Sequence, residues 1–386
     1  MNLLGRVKLP MSTKQPRVGR RGASVGYAVI GLGHIAQVAV LPAFAHAKSN
    51  SRLVALVSGD PRKRRELGRR YRAQTYSYDD LGACLANPDV DAVYIALPNN
   101  LHCRYAVRAA RAGVHILCEK PMALDETQCL RMLRAAEEHD VKLMIAYRLH
   151  FEAASLRAAE IVRDGGLGEP RIFNSIFGMQ VAPRNIRLQR ELGGGTLYDI
   201  GIYCINAARA LFRDEPIEVS AFASQKGDRR FREVDEMTSA ILRFPGDRLA
   251  SFTSTFGAAD VATYEVVGTK GRLRVERAYE YAEGLTHHLT VNGKEQRRHF
   301  AKRDQFAAEL LYFSDCVLRG HEPEPSGYEG LADIRVIRAL KQSIATHRPV
   351  KIKALGHRLV RPSMRQEIHR PPVRKPRTVR ARPASQ

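Results

Sequence analysis

The stretch Tyr27-Ala28-Val29-Ile30-Gly31-Leu32-Gly33-His34-Ile35-Ala36 decides the fold. An uncharged run reads as a strand, and Gly31-x-Gly33-x-x-Ala36 then turns the chain tightly into a helix whose periodicity begins at Ile35. Small residues are needed there because a diphosphate approaches the backbone at a helix N-terminus, where free N–H groups and the helix dipole favour anions. The glycines alone are a modest signal. Set between an apolar strand and a periodic helix, they imply a dinucleotide-binding βαβ unit.

Downstream the same rhythm continues, with strands predicted at 27–30, 53–58, 92–96, 115–118 and 142–146 and helices at 35–44, 61–71, 102–112 and 125–139. That alternation implies an α/β fold whose first domain, residues 25–147, is a doubly wound parallel sheet. After residue 151 the pattern changes. Helices at 153–164 and 201–212 flank a glycine-punctuated segment, strands follow at 217–224, 237–244, 249–255, 264–268 and 272–275, and helices at 305–319 and 327–347 close the chain. Residues 148–354 therefore read as an α+β domain with a large, open, mostly antiparallel sheet. Its uncovered face predicts a homodimer or homotetramer.

The 386 residues are 44% apolar and 26% charged, an ordinary globular composition for two domains. The net charge of +22 looks like a nucleic-acid signature, but it is concentrated at the ends. Residues 1–24 carry six cations and no acid, and residues 355–386 carry eight arginines and Lys375 against Glu367. Such Pro- and Arg-rich termini are expected to be disordered tails. Without interleaved aromatics they offer nucleic acid only non-specific, salt-sensitive contact. Cys84, Cys103, Cys118, Cys129, Cys204 and Cys316 show neither CxxC nor metal spacing, so no metal site is expected and the thiols read as reduced packing residues. Arg20-Arg21 could open an export signal, but the apolar run behind it is needed as the first strand. A cytoplasmic protein that does not span a membrane is the expectation.

Cofactor preference is read at the end of the second strand. An NAD site would place a carboxylate there for the ribose 2′-hydroxyl. Ser58 takes that position, followed by Gly59, with Arg62 and Lys63 close by. A hydroxyl, an open backbone and two cations suit a 2′-phosphate, which favours NADP, although Asp60 could hold a ribose if the strand ends later. Gly31, Gly33, His34 and Ile35 would carry the diphosphate. Leu97, Pro98 and Asn99, after the fourth strand, would border the nicotinamide ribose, with His102 capping or lining the site.

Together Gly31–Ala36, Leu97-Pro98-Asn99, Glu119-Lys120-Pro121, Gly193-Gly194-Gly195-Thr196-Leu197-Tyr198-Asp199-Ile200-Gly201 and Arg348-Pro349-Val350 resemble the Gfo/Idh/MocA family, over residues 26–352. Val57-Ser58-Gly59, Tyr147-Arg148 and Asp199-Ile200-Gly201-Ile202-Tyr203 are most similar to its glucose–fructose oxidoreductase branch. The resemblance implies an NADP-dependent oxidoreductase that moves hydride between nicotinamide and an aldose, ketose or related polyol. It also implies that Lys120, Tyr203 and Asp199 are the catalytic and substrate-binding groups, with Glu119, Lys120 and Arg148 beside the cofactor and Arg148 touching substrate. Chemistry agrees. A lysine at a strand end can stabilise a developing alkoxide, and desolvation would lower its pKa toward proton transfer. Tyr203 stands where many relatives carry histidine, four residues after Asp199 and on the same helical face. Arg187 is a further candidate contact, and Ile186 and Asn206 replace a tryptophan and an aspartate common in relatives. A catalytically silent, NADP-sensing regulator is the alternative, but regulators on this fold tend to lose the Glu-Lys-Pro lysine that this chain keeps.

Overall fold

The structure, a computed structural model, describes residues 24–225, 227–357 and 359–384. The expected basic N-terminal tail lies almost entirely outside the described residues. Strand β1 (Val25–Ile30) is buried along its whole length, because helices cover both faces of a parallel sheet. Gly31 follows with φ +96°, and a Cβ there would stand 2.5 Å from the Ala96 carbonyl oxygen, so only glycine fits. A π-helical turn (Ala36–Val40) runs into α1 (Leu41–Ala43).

The first domain continues through β2 (Ser51–Val57), α2 (Pro61–Tyr71), β3 (Gln74–Tyr76), α3 (Leu81–Ala86), β4 (Ala92–Ile95), α4 (His102–Arg111), β5 (His115–Glu119), α5 (Glu126–Glu138) and β6 (Leu143–Ala146). Asp60 caps α2 by accepting from the Arg62 and Lys63 amides, and Pro61 at the first helical position has no N–H to lose. All six strands are parallel in the order β3-β2-β1-β4-β5-β6. The order reverses between β1 and β4, and a sheet of this kind takes its ligand in that crevice, at the strands' carboxyl ends.

Beyond α6 (Ala153–Arg163) lie β7 (Pro170–Gly178), α7 (Ile202–Phe212), β8 (Glu218–Ser224), β9 (Met237–Phe244), β10 (Arg248–Thr255), β11 (Val261–Gly268), β12 (Gly271–Glu276), β13 (Leu285–Val291) and β14 (Lys294–Phe300). Helices α8 (Gln305–Arg319) and α9 (Gly327–Thr346) and the short β15 (Val350–Lys351) follow. The second sheet has nine strands in the order β14-β13-β12-β11-β7-β10-β9-β8-β15, antiparallel except for the β7–β10 pair.

Sequence reading missed β3, the central strand β7 and the β13–β14 hairpin. On β7, Ile172 and Ile176 point outward while Phe173 and Phe177 point inward, so no polar alternation marks it. Edge strand β14 is polar from Lys294 to His299, with four of its seven residues charged, which discourages further pairing and erases the hydrophobic signal.

Two features depart from the expected division into domains. Helix α8, although it follows the second sheet, packs on the first, with Ser314 Oγ 2.7 Å from both Tyr27 Oη and Ser51 Oγ. The C-terminal segment, expected to be disordered, lies along the body and bonds to it. Its contacts include Arg361–Glu215, Arg303–Glu367 and the Arg370 carbonyl accepting from the Asp304 amide.

Candidate active site

Lys120 and Asp199 come from different domains and meet at the carboxyl edge of the first sheet. β5 delivers Lys120, whose peptide to Pro121 is cis. The π-helical turn Leu197–Gly201 delivers Asp199 and runs directly into α7, which carries Tyr203. The Lys120 ammonium donates to the Asp199 carbonyl at 2.7 Å and stands 3.3 Å from its carboxylate. Arg187 closes on the other carboxylate oxygen. Lys120 Nζ also lies 4.7 Å from the centroid of the Tyr203 ring, and the Arg148 guanidinium lies 4.9 Å from it. Two cations therefore flank one phenol.

The electrostatics follow. Burial alone would raise the Asp199 carboxyl, but Arg187 and Lys120 overcome it and hold it at about 2. For Lys120, burial pulls down, yet Tyr203, Asp199 and Glu119 outweigh it and leave the ammonium above its usual value. The expectation of a lowered lysine pKa is thus reversed. Lys120 is a fixed positive charge at neutral pH. Asp199 is not a helix cap; it holds Lys120 and Arg187.

Several other predicted site residues sit as structural supports. Arg148 is buried, bonded to Gln305 at 2.8 Å and to the Tyr279 carbonyl, and stacked 5.3 Å from Tyr281, so part of its donor set is spent on holding it beside the Tyr203 ring. His102 is fully buried, with ring nitrogens 2.8 Å from the Pro121 carbonyl and 2.9 Å from the Leu97 carbonyl. It pins the Leu97-Pro98 loop and lines nothing. The Asn99 amide donates across the domain junction to the Gly193 carbonyl at 2.8 Å. Glu119 accepts from Tyr94 at 2.9 Å and is raised by burial. Gly193, at φ +82°, is needed because a Cβ there would meet Leu124 and Asn99. Ile186 is exposed.

The dinucleotide end keeps the features a cofactor needs. At Gly33 an added Cβ would touch nothing, so the loop is open above it. His34 has a buried, unpartnered Nδ1, and Asn100 a buried, unpartnered Oδ1. Strand β2 ends at Val57, which puts buried Ser58 first beyond it, its hydroxyl accepting from the Asp60 amide at 3.2 Å. Asp60 uses one oxygen on α2 and turns the other toward Arg380 at 3.4 Å. Lys63 stays near this corner, half-buried, whereas Arg62 is turned to Glu66 at 2.7 Å. Among residues not anticipated, Tyr281 and Gln305 join the site through Arg148. Neither lies in a motif, and only the folding of the second sheet and α8 brings them there.

No group of three or more metal-ligating side chains occurs among the described residues, and no helix there is long and apolar enough to cross a membrane. A dinucleotide crevice facing a lysine–tyrosine pair across two domains defines a nicotinamide-dependent oxidoreductase.

Residues 25–147 match the family model for an oxidoreductase family with an NAD-binding Rossmann fold, and residues 155–274 match that of the GFO/IDH/MocA C-terminal domain. The chain belongs to the Gfo/Idh/MocA oxidoreductase family. It is 32% identical over 336 residues to a D-xylose 1-dehydrogenase [NADP(+)] of Haloarcula marismortui, covering 85% of this chain and 93% of that one. Among solved structures, the aldose-aldose oxidoreductase of Caulobacter crescentus in complex with glycerol superposes with a TM-score of 0.82 at 40% identity, covering 85% of this chain and all of the other. KijD10, a 3-ketoreductase of Actinomadura kijaniata in complex with NADP and TDP-benzene, gives 0.75 at 28% identity over 83% of this chain and 98% of its own.

Proposed function

We propose that the chain is an NADP-dependent sugar oxidoreductase of the glucose–fructose oxidoreductase type, moving hydride between a CH–OH carbon of an aldose, ketose or related polyol and the cofactor. The observation that carries this reading is the convergence of Lys120, Asp199 and Tyr203 at the mouth of the dinucleotide crevice. The named relatives are a D-xylose 1-dehydrogenase, an aldose-aldose oxidoreductase and a 3-ketoreductase, and two are described with NADP. Ser58 in place of a carboxylate, with Lys63 beside it, supports the same cofactor.

Gly31, Gly33, His34, Ile35, Ser58, Gly59 and Lys63 would hold the dinucleotide, with Leu97 and Pro98 bordering its nicotinamide half. When bound, the nicotinamide supplies the two-electron hydride acceptor or donor. Lys120 enters as an ammonium, donates to the reacting sugar oxygen and stabilises negative charge developing on it. Asp199 keeps that ammonium charged and aimed. The Tyr203 hydroxyl gives the proton to the oxygen during reduction and takes it back during oxidation, with Lys120 and Arg148 compensating the phenolate.

The exposed face of the second sheet supports assembly with further copies. Ile172, Ile176, Phe222, Ile241 and Leu249 share it, an apolar patch that a monomer rarely shows to water. The six cysteines are buried and unpaired, which suits a reducing compartment.

The test is turnover of a panel of sugars with NADP or NAD, followed by nicotinamide absorbance, on wild type and Lys120→Ala. Wild-type turnover lost in the variant supports the assignment; equal rates refute it. Lactone and polyol formed together from an aldose–ketose mixture identify the disproportionating type.

A further inference from the structure

Beyond residue 370 the chain takes a route with a consequence for the cofactor. The Arg377 carbonyl accepts from Arg70, near the C-terminal end of α2, at 2.7 Å. Val379 is buried in the core beneath the glycine loop. Its amide donates to Gln37 Oε1 at 2.7 Å and its carbonyl accepts from Gln37 Nε2 at 2.9 Å, while that same Nε2 donates to the Leu32 carbonyl at 2.9 Å. Arg380 then lies 3.4 Å from the Asp60 carboxylate at the start of α2. The Ala384 carbonyl accepts from the Ala182 amide at 2.9 Å, and the Pro383 carbonyl from Asn185. Residues 379–384 thus pass from the glycine loop, past the adenosine corner, to the second domain.

Charge at this crossing is unbalanced. Asp60 already serves the Arg62 and Lys63 amides. Around it stand Arg380, Lys63 and the positive end of α2, and Lys375 and Arg187 both act on His34. Lys63 is held below its usual value, first by burial and further by Arg380, with Asp60 opposing. Two cations and a helix N-terminus around one capped carboxylate leave the corner net positive, a setting that suits a further anion.

We infer that residues 373–384 form a strap over the adenosine end of the crevice, and that Arg380 leaves Asp60 to bind the 2′-phosphate of NADP. The inference rests on the NADP reading above and adds a ligand from the far end of the sequence. Val379 and its paired bonds to Gln37 anchor the strap. Arg380 distinguishes the phosphorylated cofactor from the plain one.

The experiment uses full-length protein and nicotinamide fluorescence, which reads binding without turnover. Dissociation constants and release rates of NADPH and NADH are measured for wild type, Arg380→Ala, Val379→Asp and a chain ending at Pro372. Arg380→Ala is expected to weaken NADPH about tenfold and leave NADH nearly unchanged. Val379→Asp and the shortened chain are expected to release both cofactors faster. Equal weakening of NADPH and NADH by Arg380→Ala overturns the phosphate role, and unchanged release in both strap variants overturns the strap. If wild type binds NADH but not NADPH, the cofactor reading falls and takes the role of Arg380 with it. The exposed Arg380 side chain can be removed without loss of core packing, so this variant remains a test even if the other two misfold.

Discussion

The Lys120 ammonium stands 4.7 Å over the Tyr203 ring, a contact between the end of a strand in one domain and a helix of the other. It couples the position of the charge to that of the phenol, so the two groups can be separated only by choosing substitutions that keep one property each.

Tyr203→Phe retains the ring and its cation contacts but removes the exchangeable proton. The expected result is a fall in kcat of about 10²- to 10⁴-fold with little change in KM. Lys120→Ala should lose at least as much, and Lys120→Arg should recover part of it by keeping the charge. Steady-state kinetics on a sugar found in the panel measure all three; a Tyr203→Phe enzyme with unaltered kcat contradicts the proton role.

Asp199 has a folded-state pKa of about 2 against an ordinary 3.8. Its stabilisation is therefore complete above 3.8 and is lost as pH falls through 2, amounting to about 2 kcal/mol. Comparing the urea unfolding of wild type and Asp199→Asn should give a gap that is constant near neutrality and closes in acid. A gap independent of pH would mean that the ion pairs with Lys120 and Arg187 contribute nothing.

Asn206 accepts from His150 at 2.9 Å and donates to Glu329 at 2.9 Å and to Asp333 at 3.0 Å. The same cluster holds Arg209, which is fully buried. Aspartate at 206 would replace a donor by a third carboxylate. Asn206→Asp should cost about 3 kcal/mol, read as a lower denaturation midpoint. Buried His150 is held below its usual pKa, first by burial and also by Arg209 and Arg361, against Glu329 and the Asn206 bond.

Phe222, on β8 beside the edge strand, is 73% exposed on the apolar outer face of the second sheet. Phe222→Asp, alone or with Ile241→Asp, should convert an oligomer to monomer in sedimentation velocity without altering the far-ultraviolet spectrum. Unchanged sedimentation would place the interface elsewhere.

The parallel sheet and the glycine turn were legible from residues 25–147, because buried parallel strands are short apolar runs and helices between them keep their period. The residues that meet at the site were legible too, each in a local motif: Lys120 before a proline, and Asp199 and Tyr203 four apart on one helical face. Less was legible where local pattern and final environment diverge. β7 carries apolar residues on both faces, β14 almost none, and His102 looked like a ligand contact until burial and its two carbonyl partners accounted for both ring nitrogens.

By itself, then, the sequence determined which residue types were present and in what local geometry: a strand–glycine–helix turn, a lysine at a strand end, and a phenol one helical turn beyond a carboxylate. Only the tertiary structure decided their electrical state and their partners. Whether burial or a neighbouring charge prevails at Lys120, and whether a cationic chain end floats free or lies across Gln37 and Asp60, depends on groups far apart in sequence brought within a few ångströms. Coulombic and desolvation energies depend on distance and burial in space, and no local pattern encodes either.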